Sequence, residues 1–146
     1  MDDKEYDNWD EQVGNAEKEN DDLIEGFSKY LTGKALDTKT IQKHIDNVDF
    51  YVNTFLLRYE IIPAEKGSYE IGDFLGDFFI RKAMWSTKAA VEQNIVSFKK
   101  FYTYLNEIGK LSDEDLFEMK LMIKEETETW IERVVKYNSN TDGDWY

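Results

Sequence analysis

The chain has no cysteine, a single proline and a single histidine among 146 residues. Without cysteine there are no disulfides, no thiolate nucleophile and no thiolate metal ligand, which fits a reducing cytoplasm. One histidine excludes paired-histidine zinc motifs, and neither HExxH nor ExxH occurs. No apolar run approaches the roughly 20 residues of a membrane span, and the acidic N-terminus lacks the apolar core of a secretory signal. Serine-nucleophile motifs and glycine-rich phosphate loops are also missing. The expectation is a cytoplasmic, non-membrane protein that is not an enzyme and carries no cofactor and no metal.

What is present is apolar and aromatic substance: 41% of residues are hydrophobic and 15% aromatic. That is enough to fill a core, and the length fits one domain with tails. The formal charge of -13 is unevenly spread. Residues 1–25 hold eleven acids against two lysines, a net of -9. Residues 26–110 hold twelve bases against ten acids, a net of +2, and residues 111–146 four bases against ten acids, a net of -6. Affinity for nucleic acid comes mainly from neutralised phosphates, so only the middle segment is a candidate for it.

The periodicity is helical throughout, with no competing strand pattern and no internal repeat. Residues 1–19 show dense charge and no sustained apolar period, and are expected to be an acidic flexible tail. A first helix starts at Asn20 or Asp21, buries Leu23, Ile24, Phe27, Tyr30 and Leu31, and stops at Gly33. A second, over residues 38–60 with Asp37 as cap, carries the stripe Ile41, Ile45, Val48, Val52, Phe55, Tyr59, with Phe50 and Leu57 opposite. Pro63 and Gly67 mark a connection. A third helix over 69–84 buries Ile71, Phe74, Leu75 and Phe78, and Gly72 with Gly76 leave room for a close neighbour. A fourth, capped by Ser86, buries Val91, Ile95, Phe98, Tyr102 and Leu105, has Phe101 and Ile108 alongside, and ends at Gly109. A fifth, capped at Ser112, runs to about Tyr137. Its main face is Leu116, Met119, Ile123, Trp130 and Val134; a second, weaker face is Phe117, Leu121 and Val135. Residues 138–146 are expected as a flexible tail, leaving 20–137 as a single all-α helical domain.

Few constellations carry chemistry. His44, on the edge of the second helix's stripe, reads as a partly buried structural histidine. Asp73 and Asp77, four apart, read as exposed acids rather than a cation site. Glu125, Glu126, Glu128 and Glu132 read as a solvated face with mutual repulsion. The basic residues are the stronger signal. Lys88, Glu92 and Lys99 line one edge of the fourth helix, and Lys100 shares its outer face with Gln93, Thr103 and Glu107. With Lys39, Lys43, Arg81 and Lys82 they either build a modest basic surface or are ordinary helix surface with Lys88 and Glu92 paired at i,i+4, and composition alone favours the latter.

The segments "FSKYLTGKALDTKTIQKHIDNVDFYVNTFL" and "DFLGDFFIRKAMWSTKAAVEQNIVSFKKFYTYLNEIGKLSDED" resemble, in order, the two halves of the N-terminal core-binding (SAM-like) domain of tyrosine recombinases and phage integrases. The family pattern is a short helix ending in "YL", "L-S-x-x-T", a long helix ending in "FL", then a capped turn and a helix ending in "FFxYL" before a glycine. The resemblance covers roughly residues 21–112 and rests on aromatic and capping patterns. It implies a bundle of two crossed helical hairpins, here with an extra C-terminal helix, whose second and fourth helices approach DNA. By position, the candidates for double-stranded DNA are Thr38, Lys39, Gln42 and Lys43 on one helix, and Ser86, Thr87, Lys88, Gln93, Lys99 and Lys100 on the other. Thr38 and the Ser86–Thr87 pair are candidates to hold phosphates with hydroxyls and helix N-termini. The family's catalytic half has no counterpart: three arginines, Arg58, Arg81 and Arg133, and one histidine cannot build it, so no strand cleavage is expected. The acidic fifth helix also departs from the pattern. The reading is a non-catalytic DNA-binding-type module. The alternative is an acidic protein-protein interaction module that kept the fold and lost DNA, forming a homodimer through the C-terminal helix or binding another protein.

Overall fold

A computed structural model describes the backbone of residues 3–143 and the side chains of residues 7–139. Every element among the described residues is helical, and none is a strand. The chain groups into two compact units, Met1–Gly67 and Ser68–Tyr146, where one domain over 20–137 was expected.

In the first unit, α1 spans Asp3–Gly33 and α2 spans Thr38–Asp49. The acidic segment expected as a tail is thus helical from Asp3. Its sequence does carry a face: Trp9, Val13 and Ala16 are half-buried and lead into Asn20, Phe27 and Leu31, which are buried. Asn20 interrupts the apolar stripe, and the structure supplies the reason. Its amide donates to the Val52 carbonyl at 3.2 Å and to Asn53 Oδ1 at 2.8 Å, so a buried polar group is satisfied rather than left open. Asp37 caps α2 as expected, its carboxylate accepting from the Thr40 amide at 2.7 Å. That bond holds the Asp37 carboxyl below its usual range. His44 is buried.

Beyond Asp49 the helix does not continue as α to residue 60. It widens into a π-helical segment, Phe50–Phe55, closed by the Leu56 amide reaching the Tyr51 carbonyl at 3.0 Å. The wider ring rotates the inward face. Tyr51 is fully buried, its hydroxyl donating to the Gly67 carbonyl at 2.6 Å, and Leu56 and Leu57 are buried after it. Tyr59, expected on the buried stripe, is 83% exposed.

A 3-10 helix, Ala64–Tyr69, leads into the second unit. There α3 (Ile71–Asp73), a second π-helical segment (Phe74–Phe78) and α4 (Phe79–Lys82) follow one another as one continuous helical element. α5 spans Lys88–Glu107 and α6 spans Asp113–Gly143. The second π turn also moves the buried face: Phe78 is only half-buried, while Phe79 and Ile80 are buried with Ile71, Phe74 and Leu75. Phe74 meets Phe98 of α5 edge-on at 5.8 Å. Of the two glycines, Gly76 is the close approach. A Cβ there would sit 3.0 Å from Trp130 Cδ1 and 3.0 Å from Arg133 Nη1, whereas at Gly72 it would meet nothing within 4 Å. Arg133 donates to the Gly76 carbonyl at 3.2 Å.

α5 buries Val91, Ile95, Phe98, Phe101, Tyr102 and Leu105 as expected, but Ile108 is 45% exposed. Gly109, at φ +81°, ends it. Paired bonds from Gly109 N to Asn106 O and from Lys110 N to Leu105 O close the turn, a conformation that glycine adopts without strain. Ser112 Oγ accepts from the Asp115 amide at 3.1 Å to start α6, and Asn106 Nδ2 ties the two helices together through the Leu111 carbonyl and Asp113. α6 buries Met119, Ile123, Trp130 and Val134; Leu116 is half-buried. The helix passes Tyr137 and extends to Gly143, so 138–143 is helical where a tail was expected; residues 144–146 lie outside the described backbone.

Candidate nucleic-acid interface

The ten residues expected to meet DNA fall four in the first unit and six in the second. On α2, Thr38, Lys39, Gln42 and Lys43 are all exposed. The N-terminus beside Thr38 is already occupied by the Asp37 carboxylate, which takes the Thr40 amide and opposes a phosphate there. Gln42 donates to Asp46 at 2.8 Å. Lys39 and Lys43 project from a surface that also carries Asp37, Asp46 and Asp49, so this helix is close to neutral outside.

The second unit concentrates more. α4 breaks where Ala83 turns to an extended conformation, φ -93°, ψ 119°. Ser86 is buried: its amide reaches the Ala83 carbonyl, its hydroxyl donates to the Ile80 carbonyl at 3.2 Å, and its carbonyl accepts from Asn138 at 3.0 Å. It is a brace for the turn and neither the cap nor a phosphate ligand. Thr87 is the cap, its hydroxyl accepting from the Ala90 amide at 3.1 Å. Ser86 was expected as the cap; the buried turn withdraws its hydroxyl and gives that role to Thr87.

This bracing lifts two side chains outward. Met84 is fully exposed and Trp85 is 55% exposed, with an edge contact to Phe79 at 6.3 Å. Neither was among the expected site residues, although "RKAMWSTK" places both between basic residues. Arg81 is held by Asp77 through two bonds of 2.8 and 2.9 Å, so its charge is largely compensated. Lys82 is exposed. A cleft of about 280 Å3 opens here, lined by Arg81, Lys82, Met84, Ser86, Tyr137 and Asn138 among others. Along α5, Lys88 approaches Glu92 at 4.0 Å, an exposed pair of little strength. Gln93 and Lys99 are exposed and Lys100 is half-buried, with Val96 44% exposed between them.

No family model, curated protein or solved structure matches the chain. The site is therefore read from its own side chains. Among the described residues, no three histidine, cysteine or acidic side chains gather into a metal-binding group, and no helix is long and apolar enough to cross a membrane. What the 81–100 surface offers is an aromatic ring and a thioether on a turn, flanked by Lys82 and Lys88 and continued by Gln93, Lys99 and Lys100. Such a surface can stack on a base or sugar and neutralise a few phosphates.

Proposed function

We propose that this chain is a non-catalytic DNA-contacting module, similar in plan to the recombinase core-binding domain, acting through the 81–100 surface of its second unit. The observation that carries this reading is the braced turn at 83–87. It exposes Trp85 and Met84 between Lys82 and Lys88, at the start of a helix that carries Gln93, Lys99 and Lys100. With three or four phosphates neutralised, binding is weak and strongly salt-dependent: log K falls with log salt at a slope of about -3. Fluorescence anisotropy on a labelled duplex across a salt series tests it. Replacing Lys82, Lys99 and Lys100 by alanine flattens that slope, and Trp85→Ala weakens binding without changing it. Absence of binding at the lowest salt, or a slope indifferent to the three lysines, refutes the reading.

The second reading is an acidic protein-contact module. It is favoured by α6, where Phe117, Leu121 and Val135 are 66%, 44% and 48% exposed. Large apolar side chains repeated along one helix face mark a contact surface more often than bare solvent exposure does.

A further inference from the structure

The outward face of α6 has an order that the count of exposed apolar residues does not convey. Phe117, Leu121, Lys124, Glu128, Ile131 and Val135 follow one another at spacings of four, three, four, three and four. That is a single continuous seam of a helix. Its members are exposed except Ile131, which is half-buried. The helix's opposite side, with Met119, Ile123, Trp130 and Val134, is the one buried in its own unit. Among the described residues, neither Lys124 nor Glu128 closes an ion pair within the chain.

We propose that this seam docks on a second copy of itself, antiparallel, about a two-fold axis beside Glu126. The proposal rests on the protein-contact reading of α6 and is independent of DNA contact. The seam is symmetric about that point. A two-fold axis at Glu126 sets Phe117 against Val135 of the partner subunit and Leu121 against Ile131 of the partner subunit. It also sets Lys124 against Glu128 of the partner subunit, and the reverse of each pair follows. Every apolar residue meets an apolar one, and the two charges at the centre meet opposite charges. A parallel pair would instead place Lys124 against Lys124 and Glu128 against Glu128 at the middle of the interface, where like charges are costly.

One edge limits the strength. Glu118, Glu125 and Glu132 line the same side of the seam, and in the antiparallel pair these acids face those of the other copy. Exposed like charges are screened by salt more than the central pair is, so the dimer tightens as salt rises. A single five-turn seam is a small interface, so dissociation constants of about 10–100 µM are expected.

Sedimentation equilibrium of the full chain, with and without substitutions, tests this. Lys124→Glu sets glutamate against glutamate, and Glu128→Lys sets lysine against lysine; each weakens the dimer at least ~10-fold. The double exchange Lys124→Glu with Glu128→Lys restores it, and an equimolar mixture of the two single variants forms a mixed dimer. Both positions of the exchange are exposed, so helix content by circular dichroism stays unchanged. The absence of cysteine allows a second readout. A mixture of Phe117→Cys and Val135→Cys chains oxidises to the mixed disulfide in preference to either like pair, because like positions lie about 27 Å apart in the antiparallel arrangement. A wild-type chain that stays monomeric at several hundred µM overturns the proposal. So does a dimer indifferent to the charge exchanges, or one that cross-links like positions first. Loss of the dimer with DNA binding intact would refute this proposal and leave the DNA reading standing.

Discussion

Gly76 is the described glycine with least room for a side chain. The indole of Trp130 is 2% exposed and fixed, while the Arg133 guanidinium at the same distance can swing away. Gly76→Ala therefore pushes against the ring, and a loss of about 1–3 kcal/mol in urea unfolding is expected. Gly72→Ala should cost nothing comparable, since its Cβ meets open space. Tyr69 supplies a pH-dependent feature of the same unit. Its hydroxyl donates to Asp115, and that bond pushes the phenol from 10.0 up to about 12, helped by the nearby charges of Asp115, Glu118 and Glu114. A pKa raised on folding means that the neutral form is favoured in the fold. The contribution is complete below pH 10 and is lost as pH rises through about 12. The phenolate absorbance of wild type minus Tyr69→Phe should accordingly titrate near 12; a difference curve centred at 10.0 would mean the bond does not persist in solution.

At the scale of elements, the two π-helical segments account for most of what periodicity missed. Ideal helical spacing from Ile71, Phe74 and Leu75 assigns Phe78 to the core. The Phe79 amide instead reaches five residues back to the Phe74 carbonyl, and the extra residue in that ring puts Phe79 inside. Phe79→Ala should cost about 3–5 kcal/mol and Phe78→Ala about half as much, measured by the same denaturation. Equal costs would argue for an unbroken α-helix. The first segment does the same after α2 by burying Tyr51, and because the helical run ends at Phe55, Tyr59 lies beyond it and is exposed. The caps behave differently. Asp37, Ser112 and Gly109 act where sequence places them, because a cap is decided by two or three neighbouring residues. Ser86 and Thr87 show the limit of that rule: adjacent hydroxyls compete, and the Asn138 bond from α6, far along the chain, helps settle which one is the brace.

For the whole molecule, charge is the governing quantity. A chain at -13 repels a polyanion at long range even where a local surface attracts it. Removing residues 1–20 would be a poor way to lift that repulsion, because Asn20 is buried and bonded to Val52 and Asn53. Exchanging exposed Asp7, Asp10, Glu11 and Glu17 of α1 for their amides leaves the helix in place. DNA affinity at low salt should rise by roughly 3–10-fold, with the difference shrinking as salt increases. An unchanged affinity would mean that the N-terminal acids do not act on the surface proposed to contact DNA.

Sequence alone determined that this protein is all-α, where most of its helices start and stop, and which aromatic residues of α5 are inside. Those outcomes depend on spacings within four residues and on caps beside them, so they are written locally. The helical state of the acidic N-terminus was also present, in Trp9, Val13 and Ala16, but its stripe passes through Asn20 and reads as broken until the partners of that amide are known. The tertiary structure decided the rest. The π rings choose between neighbouring phenylalanines, Trp130 closes on Gly76, and the turn at 83–87 withdraws Ser86 while presenting Met84 and Trp85. Each of these depends on groups brought together from distant parts of the chain or on a hydrogen-bond ring one residue wider than the helical repeat, and neither is encoded in local periodicity.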